Sequence, residues 1–336
     1  MKLGVILTAL LGLALGTAII GYFGFGAVLS SLETFGWRGL AALTAYSLLP
    51  ILILGTAWFI LTEPKTLGRF GVFVWARVMR DAATEHLPFS QFGGFLIGAR
   101  VAILHGVTPT QAFATTVVDA TAELIAQIAF IGFGLGVLAV RLGHNSSQNA
   151  LMGAGLIGLA LCVVGAVAFI ALQRRGSGVI AALTERFLPS AAGHASAITA
   201  ALDELYRRPL HIGAAVIIHF CAWLASAAGA WIALRFAGVS LSLNQVLAME
   251  CLIFAIRSAA FAAPMAIGVQ EAGYALVGPL FGLPPNVGLA LSLIKRARDL
   301  AIGVPALLIW QTHEARRLII AAPDAASDPN APSEAP

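Results

Sequence analysis

Ile212–Leu234 reads IGAAVIIHFCAWLASAAGAWIAL, 23 consecutive residues without an Asp, Glu, Lys or Arg. A helix of about 20 apolar residues is long enough to cross the hydrocarbon core of a bilayer. A helix that is apolar on every side lies either deep in a large soluble core or in lipid. Composition decides between these. Hydrophobic residues fill 59% of the 336 positions and charged ones 11%, with a mean hydropathy of +0.89. A soluble chain carries about a quarter charged residues to keep its surface wet. Most of this molecule's surface therefore faces lipid.

Outward from that run, the same character returns in Leu3–Leu29, Gly39–Leu61, Leu124–Val140, Ala150–Leu172, Leu243–Ile256, Ala259–Gln270, Ala272–Ile294 and Leu300–Trp310. Only Leu243–Ile256 contains a charge, Glu250. The runs predict an all-α polytopic integral membrane protein with about seven to nine transmembrane or re-entrant helices. Residues 1–320 form a single membrane domain in this reading, and 321–336, rich in Pro, Ala, Ser and Asp, a disordered tail. The first run is a retained span, since a cleaved leader has a shorter apolar core.

The net charge is +4 and the pI about 9.3. The basic residues cluster at span ends: Lys2; Lys65, Arg69 and Arg77; Arg174 and Arg175; Arg316 and Arg317. That pattern orients a membrane protein, with these segments cytoplasmic and the Arg141–Gln148 loop periplasmic, and does not indicate nucleic acid. Residues 174–210 mix apolar Val179, Ile180, Leu183, Phe187 and Leu188 with charged and polar neighbours, and Asp203, Glu204, Arg207 and Arg208 follow. They read as an amphipathic cytoplasmic connector, on the membrane surface or as a plain helical linker. Cys162, Cys221 and Cys251 all lie in apolar runs with no CxxC pair, so neither metal nor disulfide is indicated. His86, His105, His211, His219 and His313 have no metal spacing. No nucleotide fingerprint, GxSxG elbow or HExxH motif occurs, so no cofactor and no ATP hydrolysis within this chain is expected.

A shift of 176 residues lays Leu87–Leu124 over Ala263–Leu300 without a gap. Pro88 then meets Pro264, Gly106 meets Gly282, Pro109 meets Pro285, Ala114 meets Ala290 and Leu124 meets Leu300. Just upstream, Met79-Arg80-Asp81-Ala82-Ala83 resembles Ile256-Arg257-Ser258-Ala259-Ala260. The expectation is two related halves, about 38–140 and 211–312. In each, an apolar segment (88–106, 264–282) is interrupted by proline and glycine, Gly94 and Gly268 among them. Short segments of this kind in equivalent positions point to a transporter-like site, and irregular backbone at membrane depth is allowed only against protein or a wet cavity.

An ionisable side chain at mid-bilayer costs about 3 kcal/mol on insertion scales, so it needs a partner, water or a function. Glu271 is the only charge between Arg257 and Lys295. Asp119 and Glu123 are four apart and share a helix face; Lys295 and Asp299 repeat that spacing, accompanied by Arg296 and Arg298. Arg80, Arg100 and Arg257 complete the set. One reading is a polar path in which arginines hold an anionic or polar headgroup while Glu271, Asp119 and Glu123 balance them or carry protons. The other is structural ion pairs between helices. Lys295 and Arg296, near a span end, read as snorkelling side chains.

Arg80 with Leu87-Pro88-Phe89-Ser90-Gln91-Phe92-Gly93-Gly94 and Val118-Asp119-Ala120-Thr121-Ala122-Glu123 resembles the first motif block of the flippase-like membrane domain of lysylphosphatidylglycerol synthases. Gly268-Val269-Gln270-Glu271, Gly282 and Lys295-Arg296-Ala297-Arg298-Asp299 resemble its second block, with Gln270 where the family usually has Arg. Among stand-alone members, the first block is most similar to that of membrane proteins associated with hopanoid biosynthesis. The resemblance implies a multi-pass protein of the bacterial inner membrane that transports or flips a lipid, hopanoid or phospholipid. Other lipid-synthesis proteins and a second copy of the chain are possible partners. It implies no lysyl transfer, since no aminoacyltransferase domain is present. The alternatives are a non-transporting scaffold for lipid-synthesis enzymes and an intramembrane lipid-modifying enzyme.

Overall fold

Glycine at positive φ and proline in a helix's first turn punctuate this chain. The computed structural model describes residues 25–86, 90–141, 152–153, 155–171, 173, 189–259 and 268–325, and among them every regular element is helical. In order these are α1 (Phe25–Tyr46), α2 (Leu48–Phe59), α3 (Leu67–His86), α4 (Ser90–Leu104), α5 (Pro109–Arg141), α6 (Gly155–Ala171), α7 (Pro189–Tyr206), α8 (Pro209–Phe236), α9 (Leu243–Ala259), α10 (Val269–Val277) and α11 (Pro285–Ala325). A 3₁₀ turn, Gly278–Phe281, extends α10. The expectations for Pro88, Pro264, most of Leu3–Leu29, the loop beyond Arg141, 174–188 and the tail from 326 fall outside the described residues.

Three helices are long and apolar enough to cross a membrane among the described residues: Glu33–Phe59, Pro109–Ala139 and Pro209–Phe236. The molecule has its polarity inverted relative to a soluble protein. Large apolar side chains such as Leu48, Ile157, Val164, Ile217 and Leu308 are exposed, while Arg77, Arg80, Asp119, His219, Glu250, Lys295 and Arg296 are buried. Water would penalise that distribution; lipid tails favour it. The chain is an all-α polytopic membrane protein.

The main core gathers around α5, α8, α9, α10 and α11, with Ile131, Leu234, Met249, Leu252, Tyr274 and Leu291 fully buried. A second packs α2, α3 and α4 through Trp58, Phe73, Met79 and Ala102. α4 lies close on α3 because Gly94 and Gly98 face it. A Cβ at Gly94 would meet Thr84 and the Arg80 carbonyl, and one at Gly98 would meet Arg80, Trp58 and Ala76. The paired small residues are contact surface, as small-xxx-small spacing permits. α7 lays Leu202, Leu205 and Tyr206 against Leu61, Val118, Ala122 and Ala215.

Two turns share one construction 176 residues apart. Gly106 (φ 89°) donates its N–H to Ile103 O while Val107 N–H reaches Ala102 O. Gly282 (φ 85°) donates to Pro279 O while Leu283 N–H reaches Gly278 O. This is a Schellman C-cap, which needs a left-handed residue and therefore glycine. Val107 and Leu283 are buried behind the turns. Pro109 and Pro285 then open the next helix, where a missing N–H costs nothing.

The second half corrects two spans read from hydropathy. Ala272–Ile294 is not one segment, since the chain turns at Gly282. Leu300–Trp310 is not separate either, since α11 runs unbroken from Pro285 to Ala325. Lys295-Arg296-Ala297-Arg298-Asp299 interrupts the hydropathy but not the helix. Lys, Arg and Ala are good helix formers, and their charges find partners inside the bundle.

Candidate functional site

Residues three or four apart on a helix share a face. Arg77 and Arg80 on α3 therefore turn together toward Asp119 and Glu123 on α5. Arg77 grips Glu123 with both terminal nitrogens, Nη2 to Oε1 at 2.7 Å and Nη1 to Oε2 at 3.1 Å, while its Nε donates to Asp81 at 2.9 Å. Arg80 bridges the two acids, Nη1 to Asp119 Oδ2 at 2.6 Å and Nη2 to Glu123 Oε2 at 2.5 Å. The Arg80 guanidinium also sits 4.1 Å from the centre of the Phe95 ring on α4, a cation–π contact. From α8, His219 reaches the other Asp119 oxygen, Nε2 to Oδ1 at 2.9 Å. Asp119 and His219 are both fully buried. Charge-assisted, forked bonds of this kind are what make buried ions tolerable.

Thr121 lies between the two acids in sequence and faces another way. Gln173 Nε2 donates to its hydroxyl at 3.0 Å, and Tyr206 bonds Gln173. Gln173 and Tyr206 line a polar cavity of about 370 Å³ with Thr199, Leu202, Asp203 and Arg207.

A second cluster joins α9, α10 and α11. Lys295 Nζ lies 2.7 Å from Glu250 Oε2 and 2.8 Å from the Tyr274 hydroxyl, which bonds the other Glu250 oxygen. One turn of α10 away, Glu271 accepts Arg296 Nε at 2.6 Å and Nη2 at 3.2 Å, and the Ser292 hydroxyl at 3.3 Å. Its Oε2 also accepts the Gly268 N–H at 2.9 Å, so Glu271 caps the start of α10 while holding α11. Gly268 itself has φ 78°. Gln270 is buried and donates to Ser292 Oγ at 3.0 Å.

Of the residues singled out by sequence, Arg80, Asp119 and Glu123 meet in the first cluster and Glu271 belongs to the second. Arg298 and Asp299 pair with each other at 2.5 Å, with Arg298 Nη1 3.4 Å from Ser47 Oγ. Arg257 points away from Glu271 and pairs with Glu85 on α3 at 3.4 Å, linking α9 to the first half. Arg100 is exposed on α4 and joins neither cluster. Lys295 and Arg296 do not snorkel. Both are 9% exposed, because Glu250 and Glu271 meet them inside.

Sequence reasoning passed over Arg77, His219, Glu250 and Tyr274. Glu250 had a signal, as the only charge in its run. Arg77 was hidden by the basic residues that set orientation, although it lies three positions before Arg80. His219 escapes any tally of formal charge, being an imidazole in an otherwise apolar run.

A family model described as the lysylphosphatidylglycerol synthase TM region matches residues 9–306. No curated protein and no solved structure matches the chain.

Proposed function

The chain belongs to the lysylphosphatidylglycerol synthase TM region family, and from that premise we propose that it moves a lipid across or within its membrane. The observation that carries this reading is the first cluster: two arginines held by carboxylates inside a lipid-facing bundle. A guanidinium binds phosphate with the same fork it offers a carboxylate. An anionic headgroup entering the bundle exchanges with Asp119 or Glu123 on Arg80 and Arg77, and its apolar body stays in lipid. Arg257 and Glu271 line the continuation of the route in the second half.

The segments carrying the route are short. α4 has 15 residues and α10 has 9. At 1.5 Å per residue they span about 22 and 14 Å, less than the roughly 30 Å of a bilayer core. In this reading they are re-entrant elements of two duplicated halves, and the matching glycine turns support the duplication. The membrane is the bacterial inner membrane, and the cargo is a phospholipid or a hopanoid-type lipid bearing a polar head.

Reconstitution tests the proposal. Purified protein in liposomes holding a trace of headgroup-labelled phosphatidylglycerol is exposed to a membrane-impermeant quencher. The expected result is loss of inner-leaflet signal faster than in empty vesicles, slowed about tenfold by Arg80→Ala, as loss of a charge-assisted contact requires. Signal loss no faster than in empty vesicles, across phosphatidylglycerol and hopanoid-type probes alike, overturns it.

A further inference from the structure

We propose that His219 is a proton-binding site in the interior of the bundle, and that its Nδ1 is the atom that takes the proton. The first argument is charge balance. Around Asp119 stand two guanidinium groups, Arg77 and Arg80, and three carboxylates, Asp81, Asp119 and Glu123. With a neutral imidazole the cluster keeps one uncompensated negative charge among buried groups, an arrangement that a low-dielectric interior disfavours. One proton on His219 brings it to neutrality.

The second argument is an orphaned atom. A carboxylate only accepts hydrogen bonds, so the contact between Nε2 and Asp119 Oδ1 places a hydrogen on Nε2. In the neutral ring Nδ1 is then a bare lone pair, and it is buried with no hydrogen-bond partner among the described residues. Buried polar atoms are satisfied in the great majority of structures. A lone pair facing no donor, on a ring bound to an anionic cluster, accepts a proton.

The surroundings present no other group to compete. α2, packed on α8, has no titratable side chain from Leu48 to Phe59. α5 brings only Asp119 and Glu123 to this side, backed by Arg77, Arg80 and Asp81 of α3. Tyr206 of α7 is bonded to Gln173. Glu250 of α9 is held by Lys295 and Tyr274, and Arg298 and Asp299 of α11 by each other. On α8 itself, His211 meets Lys65, and Arg235 stacks on Trp231.

A proton at Nδ1 strengthens the hold of His219 on Asp119 and weakens the need for Arg80 there. If Arg80 binds headgroups, proton uptake frees it for them; that consequence rests on the proposed function, and the proton site does not. The test uses the full chain in nanodiscs with ¹⁵N-labelled histidine. The signal of His219 is assigned by its loss in His219→Gln, or in His219→Asn should the first variant not fold. As pH falls, Nδ1 is expected to change from bare nitrogen to N–H while the protein stays folded. Asp119→Asn removes the negative charge and is expected to weaken proton binding by about tenfold, one pH unit. A ring that keeps one protonation state from pH 4 to 9, or that titrates identically in Asp119→Asn, overturns the inference. Neither readout involves lipid movement, so a titrating His219 in protein that moves no lipid would sink the proposed function alone.

Discussion

At the scale of single residues, the buried arginines dominate the energetics. Removing one partner of a buried ion pair leaves the other charge uncompensated, at a cost of about 3–5 kcal/mol. Arg80→Ala strips both Asp119 and Glu123 of a donor and is expected to fall in that range in detergent unfolding. Because the groups form one network, the double variant Arg80→Ala/Asp119→Ala should be less destabilised than the two single changes summed. The coupling should lie within about 0.5–3 kcal/mol, and strict additivity would show that the contact contributes nothing. Arg257→Ala, by contrast, breaks a longer, half-exposed pair with Glu85 and is expected to cost about 1 kcal/mol or less. Asp119 and Glu123 were legible from their spacing, and so was the pairing of opposite charges between helices. Which arginine meets which acid was not legible, because that depends on the rotation of α3 against α5.

At the scale of elements, the two glycine turns and the α3–α4 contact are the sensitive points. A Cβ in the left-handed region costs about 1 kcal/mol. Gly106→Ala and Gly282→Ala should therefore lower stability by similar amounts, since the two turns make the same hydrogen bonds. Unequal losses of several kcal/mol would mean that the turns carry different loads. Gly94→Leu is expected to be far more damaging than either, because α4 would have to leave α3 to admit the side chain. Loss of folded protein by size-exclusion chromatography is the measurement. The prolines and glycines that mark these turns were visible at fixed spacing in the sequence. The continuity of α11 was not, because hydropathy registers Lys295–Asp299 as an interruption while the helix needs only that its charges be met.

At the scale of the whole molecule, the inverted distribution of polarity makes its own prediction. Cysteines placed at Ile157 and Val164, both exposed and apolar, should react in membranes with a lipid-soluble maleimide and resist a water-soluble one. Equal labelling by both would place that face in water. Composition and run length alone determined that this chain is a helical membrane protein, since no arrangement of so few charges can wet a surface of its size. Local spacing determined where the chain turns, since glycine and proline restrict the backbone wherever they stand. Only the tertiary structure decided that Arg77, His219, Glu250 and Tyr274 belong with the recognised charges and that Arg100 does not. Partners across a bundle are chosen by how helices rotate and pack against one another, and that is a property of contacts between segments far apart in the chain.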